Sequence, residues 1–240
     1  MKLTYRPEID GLRAIAVFSV IFYHANFFLL NKNLFSGGFL GVDIFFVISG
    51  YLITSIILKE IYKTKNFSFI NFYERRVRRI IPALLFVMFC SLPFAYAILI
   101  IEPIVDFSKS IISSIFFISN IYFQYTGNSY DNEHVLLKPF LHTWSLSVEE
   151  QFYIWFPIFL ILIIKFFKKY LIIFLSIGLL ISISFSQYLS IYHSDFNFYQ
   201  IFSRGFELLL GSLLSYFELN NGGGGIVVNL IEYLIKYFQS

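Results

Sequence analysis

Long apolar runs alternate with short polar segments along the chain, and this pattern sets the predicted elements. The runs approach the roughly 20 helical residues that cross the hydrocarbon core of a bilayer, and the short alternating segments of a membrane barrel are not seen in the sequence. We therefore predict an all-α, polytopic transmembrane helical bundle. Its six predicted spans are Leu12–Leu30, Phe39–Leu58, Ile80–Ile101, Val148–Ile164, Tyr170–Ser186 and Phe202–Leu219.

A further apolar stretch, Phe107–Tyr125, differs from these spans because serines and an asparagine interrupt it. If this stretch crossed the membrane, the basic cluster KFFKK at 165–169 would face outward, against the positive-inside rule. A re-entrant segment, which enters and leaves on one side, keeps the cluster cytoplasmic. We prefer the re-entrant interpretation, since irregular backbone is tolerated at membrane depth where protein surrounds it. A full crossing is the alternative.

Basic residues orient the predicted bundle. Residues 59–79 contain seven Lys or Arg residues and two Glu residues. The positive-inside rule therefore predicts that this loop, and with it the N-terminus, is cytoplasmic.

Composition supports the bilayer as a partner. With 58% hydrophobic residues, 14% charged residues and a mean hydropathy of +0.72, the chain is too apolar for a soluble domain. The net charge of +3 does not indicate a nucleic-acid partner, because the basic residues lie beside spans, where lipid and topology explain them. The single cysteine, Cys90, cannot form an intrachain disulfide.

The first predicted span carries an arginine and a histidine. Arg13 and His24 are eleven residues apart, which places them roughly 20° apart around a helix and about 16 Å apart along its axis. Ionisable groups inside a membrane are costly and usually line a cavity. A neutral His24 can act there as a general base, as part of a transporter's proton path, or as a structural hydrogen-bonding group.

Other charged residues lie at the edges of the predicted spans. Asp43 belongs either to the polar site or to a cap of the second span. Glu149 and Glu150 support the site, unless Ser147 and Glu150 form a capping box. Four cytoplasmic arginines suit a phosphate-bearing ligand, although a basic loop is also a topology signal by itself. These are Arg75, Arg76, Arg78 and Arg79. No metal site is predicted.

Five stretches, in order, resemble the acyltransferase 3 family, the polytopic bacterial membrane enzymes that O-acylate surface glycans. They are RPEIDGLRAIAVFSVIFYHANF, SGGFLGVDIFFVISGYLITSIIL, FYERRVRRIIPALL, LHTWSLSVEEQFYIWFP and, more weakly, SRGFELLLGSLLSYF. Together they cover most of residues 5–217. The resemblance favours an enzyme over a transporter.

The resemblance implies transfer of an acyl group, commonly acetyl, from cytoplasmic acyl-CoA to a hydroxyl of a surface polysaccharide or lipopolysaccharide sugar. Acyl-CoA is then a donor substrate, with no bound cofactor, and the location is the bacterial inner (cell) membrane. Arg13 and His24 fall on the family's Arg-x10-His motif, which makes His24 the catalytic histidine.

The resemblance also implies a donor site. Arg76 and Arg79 fall on the family's Arg-x-x-Arg motif beside the cytoplasm, next to Arg75. Glu149 and Glu150 fall in its SVEEQFY block and are expected to support the site.

The resemblance does not extend to the end of the sequence. Family members have more spans, so residues 1–219 are expected to form an acyltransferase-3-like membrane domain that is incomplete at its C-terminus. Residues 220–240 are a Gly-rich linker and short apolar tail of unknown role. Two alternatives stay open: an inactive truncated chain, or a chain completed by a complementary C-terminal fragment or an oligomer.

Overall fold

The computed structural model describes residues 6–25, 28–29, 32–33, 35–99, 101–126 and 138–220. These ranges form the helices α1 Pro7–His24, α2 Leu40–Thr64, α3 Phe69–Ile98, α4 Ile101–Ile115, α5 Ser119–Thr126, α6 Thr143–Phe167, α7 Leu171–Tyr192, α8 Ser194–Tyr199 and α9 Ile201–Asn220. A 3₁₀ turn, Lys168–Tyr170, precedes α7. The strands β1 Phe28–Leu29 and β2 Lys32–Asn33 pair antiparallel. The predicted helical class is confirmed. The described chain also contains this short two-stranded ladder, which was not predicted.

Two helices of the described chain, α2 and α3, are long and apolar enough to cross a membrane by length and composition. They correspond to the predicted spans Phe39–Leu58 and Ile80–Ile101. The full count of six spans stays a prediction. Of the predicted linker and tail, residues 221–240 lie outside the described residues.

The basic segment expected to lie in the cytoplasm before the third predicted span is helical over much of its length. α3 begins at Phe69, and Ser68 caps it by accepting a hydrogen bond from the backbone N–H of Asn71 at 3.4 Å. Arg and Glu are good helix formers, so the helix extends through the charged residues. Hydropathy predicts which part of a helix lies in the hydrocarbon core. It does not predict the residue at which the helix begins.

The stretch predicted to be re-entrant is broken near its middle. Phe117 adopts a left-handed conformation with φ 54°, and the backbone N–H of Ile118 donates to the carbonyl oxygen of Ser113 at 2.8 Å. The N–H of Phe117 also donates to Ser114, and these two bonds form a Schellman motif that ends α4. The break is irregular backbone of the kind expected, while re-entry itself stays a prediction.

The predicted capping box at Ser147 is wrong. α6 begins at Thr143, so Ser147 lies inside the helix. The Ser147 hydroxyl is buried and lies 2.7 Å from the hydroxyl of Ser119. Because a tertiary contact uses this hydroxyl, it is not a cap.

The described chain divides into two compact units. The first comprises the described parts of Met1–Lys65, Phe156–Ile183 and Gly205–Ser240, and the second comprises those of Asn66–Trp155 and Ser184–Arg204.

In the first unit, α1 and α2 pack antiparallel. Ile9 near the start of α1 shares a buried cluster with Ile48, while Gly41 near the start of α2 lies against the backbone of Ala16. This register places Asp43 about level with Ala14. The predicted site residues Arg13 and Asp43 therefore lie at a similar height in the hairpin.

The first unit also contains a close crossing of α2 and α9. A Cβ added to Gly50 would overlap the carbonyl oxygen of Leu208, and one added to Gly211 would overlap that of Val47. Both positions are therefore restricted to glycine, since the two backbones are in direct contact.

In the second unit, buried hydroxyls connect α4, α5 and α6. Ser114 lies 2.7 Å from Thr143, which donates to Ser119 at 3.0 Å. The ring of Trp144 packs on Phe198 with centroids 4.5 Å apart. These contacts hold the N-terminal part of α6, which carries Glu149 and Glu150, against its neighbours.

Candidate active site

His24 is the last residue of α1, and the helix fixes its ring. Nδ1 lies 2.9 Å from the carbonyl oxygen of Val20, one turn earlier, and the ring meets Tyr23 edge-on at 5.2 Å. Because a carbonyl oxygen only accepts hydrogen bonds, Nδ1 carries the proton. In the neutral imidazole Nε2 then holds the lone pair. His24 is exposed at the surface of the first unit.

Arg13 lies on the same helix but does not reach His24, since the eleven-residue spacing separates them by about 16 Å along the axis. The Arg13 guanidinium forms an ion pair with Asp10 at 3.4 Å. Asp43 is half-buried in the first turn of α2, about level with Arg13. In the first unit, Arg13 and Asp43 thus lie at a similar level along the antiparallel pair of α1 and α2. His24 lies farther along α1.

Arg76 is the most enclosed of the predicted donor-binding arginines. Its guanidinium lies 4.7 Å from the ring centroid of Tyr153 and 5.7 Å from that of Phe72. The Tyr153 hydroxyl donates to Glu149 Oε1. Arg75 and Arg79 are exposed on α3. The second unit therefore combines one half-buried guanidinium, held over two aromatic rings, with more accessible cationic neighbours.

Glu150 is buried beside this cluster. Its residue is 7% exposed, and its Oε1 accepts no hydrogen bond within the described ranges. The charges of Glu149, Glu150 and Arg79 all act on Arg76. The structure therefore brings Arg76, Glu149 and Glu150 together in the second unit. Arg13, His24 and Asp43 belong to the other unit.

A cluster that the sequence did not predict lies in the first unit. Arg6 donates to Glu218 Oε1 at 2.6 Å and to the Tyr51 hydroxyl, and that hydroxyl donates to Glu218 Oε2 at 2.7 Å. Arg6 also donates to Glu8 at 2.5 Å. The N–H of Glu8 and the Arg6 guanidinium hold the pKa of the Glu8 carboxyl below its ordinary value.

The only signal for this cluster in the sequence is the position of Arg6 and Glu218 at the edges of predicted spans. Within the described ranges, no group of three or more His, Cys, Asp or Glu side chains could hold a metal ion.

The chain is similar in sequence to known acyltransferases. A family model described as an acyltransferase domain matches residues 6–226. The O-acetyltransferase OatA of Staphylococcus aureus strain NCTC 8325 is 41% identical over 190 residues, which cover 75% of this chain and 30% of that protein. A putative O-acetyltransferase of Staphylococcus aureus strain MSSA476 is 38% identical over 239 residues, covering 96% of this chain and 38% of that protein.

No solved structure matches the chain. The chain spans about a third of the length of these curated relatives. The family match covers nearly all of its residues, including every predicted site residue. The chain therefore belongs to the acyltransferase 3 family.

Proposed function

We propose that the chain forms the acyl-transfer part of a membrane-bound O-acetyltransferase. It moves an acetyl group from cytoplasmic acyl-CoA to a hydroxyl of a surface polysaccharide or lipopolysaccharide sugar, in a bacterial inner (cell) membrane. Relatives named as O-acetyltransferases support the reaction class. The donor and the acceptor are part of the proposal.

The observation that carries the proposal is the fixed tautomer of His24. Its Nδ1 donates to the carbonyl oxygen of Val20, so Nε2 is the nitrogen that accepts a proton. A general base needs this tautomer, because the nitrogen that accepts the proton must not already carry one.

The reaction then follows in two proton movements. His24 Nε2 takes the proton of an acceptor hydroxyl as the oxygen attacks the thioester carbonyl. The carbon–sulfur bond breaks, and the imidazolium returns its proton to the departing CoA sulfur. The products are an ester and free CoA, and His24 is regenerated.

Arg75, Arg76 and Arg79 are proposed to bind the phosphates of the donor. Guanidinium groups stay charged and bind phosphate oxygens through paired hydrogen bonds. Arg76 is preorganised by its contacts with Tyr153 and Phe72, which restrict its side chain before a ligand arrives. Glu149 contributes indirectly, since it accepts the hydroxyl of Tyr153.

The proposed topology has six spans with a cytoplasmic N-terminus. α2 and α3 have the length and composition for two of these spans. The arginines at the start of α3 then lie on the cytoplasmic side, where acyl-CoA is available. Arg13 and Asp43 are proposed to line a polar path toward His24 within the first unit.

The test is acetyl transfer in membranes that contain the full chain. Radiolabelled acetyl-CoA is supplied with the host's surface polysaccharide, and label in the polysaccharide is counted. His24→Ala should lower transfer at least about 100-fold, the usual contribution of a general base. His134→Ala, which removes a histidine between α5 and α6, is the control. Transfer retained in His24→Ala would contradict the proposal.

Because the chain spans about a third of its curated relatives, the assay has a second arm. The chain is tested alone and with the C-terminal part of a relative co-expressed. Transfer only in the second case identifies a split enzyme, and no transfer in either case identifies an inactive chain. Movement of a glycan across vesicles without acetyl-CoA would indicate a transporter instead.

A further inference from the structure

Glu150 in the second unit has a buried carboxyl group with one oxygen that makes no hydrogen bond. The residue is 7% exposed, and among the described residues no donor reaches its Oε1. A buried acceptor without a partner destabilises a fold, so such groups are rare in folded proteins and call for an explanation. This one lies beside the arginines that are proposed to bind the acyl donor.

The donors nearest to Glu150 along α6 are used by other acceptors. The amide of Gln151 donates to Asn120 Oδ1 at 2.8 Å and to a backbone carbonyl oxygen just before α5 at 2.9 Å. The hydroxyl of Tyr153 donates to Glu149 Oε1. These contacts hold α6 in place, and they leave Glu150 Oε1 for a donor that comes from elsewhere.

Contacts between α3 and α6 fix the position of Glu150 relative to the proposed donor site. The Tyr73 hydroxyl donates to the carbonyl oxygen of Ile154 at 2.8 Å, and the Arg76 guanidinium lies 4.7 Å from the ring centroid of Tyr153. Glu150 precedes Tyr153 by one helical turn, about 4.5 Å along the axis of α6. The carboxyl group is therefore about one turn from the guanidinium that is proposed to hold the donor phosphates.

A ligand can reach this carboxyl group after a small side-chain movement. The residue keeps 7% of its surface exposed. The terminal torsion of a glutamate is broad and nearly twofold, so rotation about it exchanges the two oxygens without moving the helix. Because Oε1 has no hydrogen bond to lose within the described chain, turning it toward a ligand breaks none.

The chemistry of a carboxylate selects the part of the donor that it can contact. A carboxylate accepts hydrogen bonds and repels phosphate groups, so its partner is a neutral O–H or N–H and not the diphosphate. In acyl-CoA the diphosphate continues into the pantetheine arm, where a hydroxyl and an amide N–H follow within a few bonds. Phosphates held by Arg76 would bring these first donors of the arm close to Glu150.

We infer that Glu150 accepts a hydrogen bond from the pantetheine arm of the donor, from its hydroxyl or its first amide N–H. The inference rests on the proposed function, which supplies acyl-CoA as the donor. Arginines attract many phosphate-bearing ligands. A buried acceptor one turn away distinguishes CoA from nucleotides that lack the arm, so Glu150 is a specificity-determining residue for the donor.

This role has opposite effects on stability and on binding. In the ligand-free protein the unbonded carboxyl group is unfavourable, so an apolar side chain of similar size in its place should not destabilise the fold. The same replacement should weaken CoA binding, because the arm loses its acceptor. A glutamate with a merely structural role predicts the reverse, a lower unfolding temperature and no selective effect on CoA.

The first experiment measures the binding of two ligands without turnover. Purified full chain in detergent micelles is titrated by calorimetry with CoA and with phospho-ADP, the nucleotide part of CoA without its pantetheine arm. Glu150→Met should weaken CoA binding about tenfold and leave phospho-ADP binding unchanged or slightly tighter. Glu150→Gln keeps an acceptor oxygen and should weaken CoA binding less.

The matched control is Glu74→Met, which removes an exposed glutamate of the same unit. Loss of a negative charge by itself makes the unit more attractive to phosphates, so charge alone predicts tighter binding of both ligands in either variant. The ratio of CoA affinity to phospho-ADP affinity should fall in Glu150→Met and stay at the wild-type value in Glu74→Met. A ratio that changes equally in both variants overturns the inference.

The remaining outcomes separate this inference from the proposed function. If the wild type binds CoA and Glu150→Met binds it as tightly, only the role of Glu150 fails. Equal weakening of both ligands also overturns that role, because the residue then acts on the phosphates or on the fold. If the wild type binds neither ligand, the proposed donor fails and the inference fails with it.

Thermal unfolding without ligand is the second readout. Glu150→Met should unfold at the wild-type temperature or above it, because the unbonded carboxyl group is removed. A lower unfolding temperature would show that the carboxyl group stabilises the ligand-free fold, which overturns the inference.

Discussion

The guanidinium of Arg6 lies 2.6 Å from Glu218 Oε1, although the two residues are 212 positions apart. Tyr51 closes the triangle, since its hydroxyl contacts Arg6 and donates to the other carboxylate oxygen at 2.7 Å. The side chains of Arg6 and Glu218 are 18% and 6% exposed, so the ion pair is mostly removed from water. The start of the histidine-bearing helix is therefore anchored to α2 and α9.

Glu218→Gln should destabilise the protein by about 2–3 kcal/mol, because a half-satisfied guanidinium would stay buried. The effect falls at the lower end for a buried pair because Glu8 still accepts from Arg6. Thermal unfolding in detergent micelles measures the change. Glu74→Gln removes the exposed pair with Arg78 and should cost less than about 0.5 kcal/mol. Equal effects of the two variants would show that the buried anchor contributes nothing beyond a surface pair.

Gly50→Ala should destabilise the first unit by about 3 kcal/mol or more, since its methyl group would overlap the Leu208 carbonyl oxygen. Gly178→Ala is the matched control. There the nearest atom is the flexible Leu209 side chain at 3.3 Å, so the change should be near zero or slightly stabilising. Unfolding in micelles compares the two. Tolerance of both substitutions would contradict a direct backbone crossing of α2 and α9.

Arg76→Ala should raise the KM for acetyl-CoA about tenfold or more while changing kcat little, because it removes charge-assisted hydrogen bonds to the donor. Arg78→Ala on the same helix is the control, since Arg78 is exposed and paired with Glu74 at 2.7 Å. Steady-state transfer at varied acetyl-CoA separates KM from kcat. If both variants raise KM equally, general positive charge attracts the donor and the position of Arg76 has no special role.

Cysteine labelling tests the re-entrant segment. In a Cys90→Ser background, which lacks other cysteines, single cysteines replace the exposed residues Ser108 in α4 and Thr126 at the end of α5. A membrane-impermeant maleimide should label both from the same side of the bilayer. Labelling from opposite sides would show that α4 and α5 together cross it.

Local pattern predicted much of the fold. The apolar run of the second span located α2, and the helix that carries Arg13 and His24 is present as α1. Hydropathy placed the third span at Ile80 and did not show that α3 begins at Phe69, because the residues between them include charged ones with high helix propensity. Both results depend on neighbouring residues alone.

Contacts between segments that are far apart in the sequence could not be predicted from it. The enclosure of Arg76 by Tyr153 and the anchoring of Arg6 by Glu218 depend on how helices pack, and a single sequence carries no measure of such distances. The tautomer of His24 could be predicted only in part from the local sequence. It follows from the Val20 carbonyl one turn away, but only once the helix is known to continue to His24.

The anchor between Arg6 and Glu218 also sets an order of events during synthesis. Arg6 leaves the ribosome 212 residues before its partner. At roughly 5–20 residues per second, that interval is about 10–40 s. Until α9 arrives, Arg6 can contact Glu8 and Tyr51 but not Glu218. The contact between Arg6 and Glu218 therefore forms only when nearly the whole described chain has been made.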